Sequence, residues 1–156
     1  MVPCNWPSDL RYTNIVNQKR NLEIQQLKGV QILKIEDEDH PLNGEYGLFP
    51  TRQWLPFEII GTYTGEVVKN TPGRYVARLF ISKNGNNWCV DAEKEGNETR
   101  FINDYRNIAP EPNVFFSKTV VNGKITILVV VIKPINIGDE IVSDYGEDYW
   151  DFFKNN

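Results

Sequence analysis

From Val30 onward the apolar residues of this chain fall into short β-rich runs separated by Gly, Asn, Asp and Pro. Val30, Ile32 and Ile35 lie in a strand-like run from Gly29 to Ile35. The acidic stretch Glu36 to Asp39 then predicts a solvated turn ending near Pro41. Gly44 and Gly47 bracket another turn before Leu48 and Phe49. Ile59 to Thr64 reads as a strand closed by Gly65. Tyr75 to Ser82 and Trp88 to Val90 flank Lys83-Asn84-Gly85-Asn86-Asn87, a hairpin signal because Asn and Gly tolerate positive φ. The clearest hairpin turns at Asn122-Gly123. Val114 to Phe116 leads into it and Ile125 to Ile132 leaves it. That second run is apolar on both faces, which predicts a central, doubly covered strand ending at Pro134.

Residues 1–28 are polar and read as an N-terminal arm, or a short helix over Asn17 to Leu27 carrying Leu22, Ile24 and Leu27. No long amphipathic helix, repeat or low-complexity tract is visible. The expected fold class is mainly β with minor α, as small sheets around one core over residues 29–156.

Composition narrows the function. The 156 residues are 40% hydrophobic and 24% charged, which suits a globular chain. Seventeen basic against 21 acidic residues give a formal charge of −4, so direct nucleic-acid binding is not expected. The longest apolar run, Ile125 to Ile132, falls short of the roughly 20 residues of a membrane helix. With no apolar N-terminal stretch, the chain reads as soluble and intracellular. Two cysteines, Cys4 and Cys89, permit a single disulfide, and in an intracellular protein they read as two reduced thiols. His40, the one histidine, reads as an exposed loop residue with no nucleophile beside it. Two cysteines and one histidine make no ordinary structural zinc site, and no metal is expected.

Four blocks, in order, carry a resemblance. They are Glu45-Tyr46-Gly47-Leu48-Phe49; then Ile60-Gly61-Thr62-Tyr63-Thr64-Gly65-Glu66-Val67; then Val90-Asp91-Ala92, Gly96-Asn97, Arg100-Phe101-Ile102-Asn103 and Pro112-Asn113; then Ile132-Lys133-Pro134-Ile135, Gly138-Asp139-Glu140-Ile141 and Asp144-Tyr145-Gly146. Each alone is weak; together they resemble the SET-domain lysine methyltransferases over roughly Val30 to Trp150. The resemblance implies several small sheets and a C-terminal segment, Ser143 to Trp150, threaded under the loop that follows Asn103.

It also implies chemistry. Methyl transfer from S-adenosylmethionine to a lysine amine needs a neutral amine, in-line alignment and a narrow apolar channel. By resemblance, Tyr145 is the catalytic tyrosine. Asn103 contacts the amino-acid portion of the cofactor. Asp104 stands where most members carry a histidine that binds the adenine edge through its backbone, and Glu45 stands at the first glycine of a Gly-x-Gly turn. Tyr46, Tyr75 and Trp150 complete the expected cofactor set. Tyr63, Phe116 and Ser143 are expected to line the lysine channel, Ser143 where many members carry a Phe or Tyr that limits the number of methyls. In place of a zinc-binding tail the chain ends in Tyr149-Trp150-Asp151-Phe152-Phe153.

The expected function is transfer of methyl to a protein lysine, with a histone tail leading as substrate and a nuclear location favoured by the family over a cytoplasmic one. A non-histone protein substrate is the alternative within the enzyme class. A noncatalytic SET-like peptide-binding module is the alternative outside it, motivated by Glu45 and Asp104. A β-domain with accidental motifs is the third reading.

Overall fold

A computed structural model describes residues 2–3, 5–13 and 26–154. The strands in chain order are β1 (Arg11–Tyr12), β2 (Val30–Lys34), β3 (Tyr46–Pro50), β4 (Ile59–Thr62), β5 (Glu66–Lys69), β6 (Val76–Ile81), β7 (Asn87–Asp91), β8 (Glu95–Gly96), β9 (Asn103–Asp104), β10 (Val114–Val121), β11 (Lys124–Val131) and β12 (Val142–Ser143). A 3₁₀ turn, Glu98–Phe101, precedes β9, and among the described residues one α-helix, α1 (Glu147–Lys154), follows β12. The strands form five small sheets: β1-β8, β10-β11-β4, β12-β9, β2-β3 and β5-β7-β6. The expected mainly-β class with minor helix is what is observed.

The hairpin at Asn122-Gly123 forms as the sequence predicts. Both residues take positive φ, 50° and 76°, and β10 and β11 pair in register from Val114↔Val131 to Val121↔Lys124. The primed turn matches the right-handed twist of the flanking strands. β11 is central, between β10 and β4. Its double cover is only partial. Ile127, Val129 and Val131 are buried, whereas Leu128 and Val130 on the other face are half-buried. An all-apolar strand hides which face meets the core, because alternation carries that information.

The core divides in two. Val30, Ile32, Leu48, Val129, Val131 and Ile141 belong to the larger cluster, and Tyr63, Leu79, Val90, Ala92 and Ile127 to the smaller. β11 contributes to both and joins the sheets. Two glycines sit against close neighbours, Gly65 against backbone and Gly47 against side chains. A Cβ on Gly65 would lie 2.2 Å from the Asp91 carbonyl oxygen, and one on Gly47 would lie 2.7 Å from Oε1 of Glu140. Gly47 therefore sits inside β3 as a close-approach residue, which corrects its expected place in a turn. Gly44, at φ +90°, makes the turn alone.

The N-terminal residues 5–13 are docked. β1 runs parallel to β8, Trp6 packs edge-on against Tyr12 and Phe101, and the Tyr12 hydroxyl donates to Glu98 at 2.9 Å. Most of the expected helix over 17–27, and Cys4, lie outside the described residues.

The C-terminal segment takes the expected threaded position. β12 pairs in parallel with β9, Val142↔Asn103 and Ser143↔Asp104, and Tyr105 N–H donates to Ser143 O at 2.9 Å. On the other side, Asn113 N–H donates to Val142 O, while Val142 N–H donates to Oδ1 of Asn113. Both ends of the 105–113 loop thus grip one two-residue strand. Connections of this kind are rare among folds.

Candidate active site

Tyr145 stands two residues beyond β12. Its hydroxyl donates to the Ile102 carbonyl at 2.7 Å, and Tyr149 of α1 packs edge-on against its ring at 4.7 Å. Burial pushes the phenol well above its usual range, reinforced by Tyr63, Tyr149 and Asp104 nearby. Tyr145 is therefore a neutral hydrogen-bonding group at neutral pH rather than a phenolate base.

A cleft of about 900 Å³ opens at this tyrosine, lined by Tyr63, Tyr75, Phe116, Ser143, Tyr145 and Tyr149 among others. Tyr63 and Phe116 are 5.2 Å apart between centroids. The Tyr63 hydroxyl donates to Tyr75 O at 2.7 Å, and burial raises its pKa as well. The Ser143 side chain is 2% exposed and its Oγ has no hydrogen-bond partner. All three residues expected to line a lysine channel thus meet around Tyr145. Tyr75, expected at the cofactor, lies in this same cleft, with the Arg100 guanidinium 4.0 Å from its ring centroid.

A second cluster holds the other expected cofactor residues. Asn103 Nδ2 donates to Glu140 Oε1 at 2.8 Å and to Tyr46 O at 3.1 Å. Both amide hydrogens are used, so Oδ1 is the acceptor that remains. Tyr46 is 40% exposed, and its ring lies 6.1 Å from that of Phe101. Glu45 is exposed on the turn into β3, and its carbonyl accepts from Ile35 N–H at 2.8 Å.

Asp104 links the two clusters. It is 7% exposed and faces inward. Its Oδ2 accepts from Tyr145 N–H at 2.8 Å, from Arg106 Nη1 at 2.8 Å and from Trp150 Nε1 at 3.4 Å, and its Oδ1 accepts from Arg106 N–H at 3.0 Å. Arg106 also bonds Asp144 at 2.8 Å. Burial alone would raise the Asp144 carboxyl, but the Gly146 amide and Arg106 outweigh it and hold it low. The Asp104 side chain is therefore engaged with Tyr145 and Arg106, and the Trp150 indole with Asp104. The side chains of Phe152 and Phe153 lie outside the described part of the molecule.

Sequence reasoning missed three participants: Arg106, Glu140 and His40. His40 is not the exposed loop residue it reads as. Its side chain is 16% exposed and its Nε2 lies 2.9 Å from Oε2 of Glu140, 100 residues away. Glu140 stood inside a quoted block, but nothing in that block marked its partner. Arg106 follows Asp104 by two residues, and only the inward turn of that aspartate reveals its task.

A threaded β12 beside β9, with a buried neutral tyrosine over an aromatic cleft, defines a class of site. The SET-domain family profile matches residues 45–146, and the chain belongs to that family. Among curated proteins it is similar to an H3 lysine-36 specific histone-lysine N-methyltransferase of Emericella nidulans, at 26% identity over 84% of this chain and 13% of that protein. It is also 30% identical to the histone-lysine N-methyltransferase Set2 of Drosophila melanogaster, over 58% of this chain and 4% of that one. Among solved structures, the polycomb repressive complex 2 of Chaetomium thermophilum aligns with TM-score 0.61 at 26% identity, covering 78% of this chain and 16% of the matched one. An active polycomb repressive complex 2 in the basal state aligns at 0.61 and 29%, with the same coverage. The chain spans well under a fifth of these relatives' length.

Proposed function

We propose that this protein is a protein-lysine N-methyltransferase using S-adenosylmethionine, with a lysine of a histone tail as its substrate and the nucleus as its place of action. The observation that carries the reading is the parallel β9–β12 pairing. It sets Asn103, with its remaining amide oxygen, on the strand beside the one that delivers Ser143 and Tyr145 to the cleft. The family and the named activity of the relatives support the same reading.

The residues fit the cofactor's amino-acid portion. Asn103 Oδ1 would accept from its ammonium, Glu140 adds a negative charge nearby, and Tyr46 offers an exposed ring. When bound, S-adenosylmethionine supplies a sulfonium methyl that a neutral amine can displace. Tyr145, held by its hydroxyl on Ile102 O, would present its oxygen lone pairs to the amine and align it. Tyr63 and Phe116 would exclude water from the lysine side chain, which favours its neutral form. Aromatic faces there would also stabilise the cationic product. Tyr149 would close the cleft from the α1 side.

Asp104 is one of the two departures that motivate a noncatalytic module. Its engagement with Tyr145 N–H gives it a task within an intact site. The test is methyl transfer onto histones and onto a cell lysate, wild type against Tyr145→Phe. We expect a loss of about 100-fold or more in the variant, which still folds with a somewhat lower melting temperature because the Ile102 carbonyl loses its donor. Equal transfer by both proteins would overturn the assignment of Tyr145. Absence of any S-adenosylmethionine binding by the wild type would favour the binding module.

A further inference from the structure

We infer that His40 is a positioning residue for the cofactor site, acting on Asn103 through Glu140; the inference rests on the reading of Asn103 as the cofactor's asparagine. The geometry is a continuous relay. Leu42 N–H donates to His40 Nδ1 at 3.0 Å, which makes Nδ1 the acceptor and leaves the proton on Nε2. Nε2–H then donates to Glu140 Oε2 at 2.9 Å, and Glu140 Oε1 accepts from Asn103 Nδ2 at 2.8 Å. Each carboxylate oxygen has one donor, one from the acidic turn and one from β9.

The surroundings hold this carboxylate in place. The Glu140 side chain is 6% exposed, and its own backbone carbonyl accepts from Asn113 Nδ2 at 2.8 Å. On β3 Gly47 leaves room for it, since a Cβ there would come within 2.7 Å of Oε1 and the carboxylate would have to shift. Glu140 settles which end of the Asn103 amide points where. The carboxylate and Tyr46 O both accept, so they take Nδ2 and turn Oδ1 toward the cofactor's side. Without His40, Oε2 loses its donor in a nearly dry place. The carboxylate is then free to turn away from Asn103, and the amide loses its fixed sense.

His40 touches neither the cleft nor Tyr145, so its removal acts on cofactor affinity and leaves lysine alignment alone. The experiment measures S-adenosylmethionine Kd by calorimetry, with KM for cofactor, KM for a histone peptide, kcat and melting temperature. It uses the full chain as wild type, His40→Ala and His40→Gln. Gln carries a donor at about the reach of Nε2 and restores the bond to Glu140. His40→Ala is expected to raise Kd and KM for the cofactor about tenfold, the worth of one charge-assisted hydrogen bond. Peptide KM and kcat at saturating cofactor stay within about twofold, and His40→Gln returns the affinity to within about threefold of wild type. Unchanged cofactor affinity in His40→Ala overturns the inference. So does an equal loss in both variants that tracks a fall in melting temperature, since that is a purely structural role. A wild type that binds the cofactor and transfers methyl normally, with cofactor affinity unchanged in His40→Ala, defeats the inference alone. A wild type with no cofactor affinity defeats the cofactor reading of Asn103 and the inference with it.

Discussion

Oδ2 of Asp104 accepts the backbone N–H of Tyr145 at 2.8 Å, so the residue that starts the threaded loop fixes the tyrosine at the end of the thread. The same carboxylate holds Arg106, which reaches on to Asp144. Asp104→Ala would leave Tyr145 N–H without its acceptor in a site that is almost dry, and Arg106 with Asp144 alone. Breaking a buried ion pair by removing one partner costs about 3–5 kcal/mol. Arg106 is 33% exposed and can turn to water, so a loss of about 3 kcal/mol is expected. Asp104→Asn keeps one acceptor oxygen and should lose about 1 kcal/mol. Urea unfolding of the three proteins checks both values, and equal midpoints would mean that the clamp contributes nothing.

Gly65 tests space against conformation. A Cβ there meets the Asp91 carbonyl oxygen at 2.2 Å and its carbon at 2.6 Å, both backbone atoms of β7 paired with β5. No side chain can rotate aside, so Gly65→Ala must push β5 off β7. Overpacking of this kind costs about 3 kcal/mol. Gly44→Ala meets nothing within 4 Å but must hold φ +90°, for a cost of about 1 kcal/mol. Thermal melts should rank Gly65→Ala well below Gly44→Ala; the reverse order would show that β5 yields easily.

The parts of this fold legible in the sequence were those written in local chemistry. Asn122-Gly123 declared its hairpin because few residues accept two successive positive φ values. The ordered blocks placed Tyr145 and Asn103, and β9–β12 pairing brings their strands together. What stayed hidden depended on distance along the chain. His40 looked solvated because its neighbours Glu36 to Asp39 are acidic, yet its partner Glu140 is 100 residues on. β1 is two residues long, too short for alternation to show, and is held by Glu98 and β8. Gly47 reads as a turn residue because a glycine needed for close approach looks the same in sequence as one needed for positive φ.

Glu98 should give stability a measurable pH dependence. It is 1% exposed, bonded to Tyr12 and Leu27 N–H, and burial raises its pKa above the usual 4.5 despite those bonds. The folded chain therefore keeps this proton to higher pH than the unfolded chain does. Stability from this group is greatest at or below about pH 4.5 and declines as pH rises through the folded value. Glu98→Gln removes the titration. The stability difference, variant minus wild type, should grow in the variant's favour between about pH 4.5 and neutrality. Chemical denaturation across that range reads it directly, and a difference independent of pH would show that the carboxylate titrates alike in both states.

Ser143 sets how much room the amine has. Its Oγ is buried, unpartnered and on the wall of the cleft, with Tyr63 and Phe116 among the other lining residues. A larger ring at this position would take up space that a methylated amine needs, whereas a first methyl adds little to the width of a bare one. Ser143→Phe is therefore expected to retain the first transfer and to suppress later ones by about tenfold or more, the effect of about 1.4 kcal/mol in relative barriers. Ser143→Ala removes the unpartnered hydroxyl without filling the space and should leave the product distribution close to wild type. Mass spectrometry of a single-lysine peptide separates the products. If Ser143→Phe gives the same distribution as wild type, the limit on methyl number lies elsewhere in the cleft, and Phe116, opposite Tyr63 at 5.2 Å, becomes the next residue to vary.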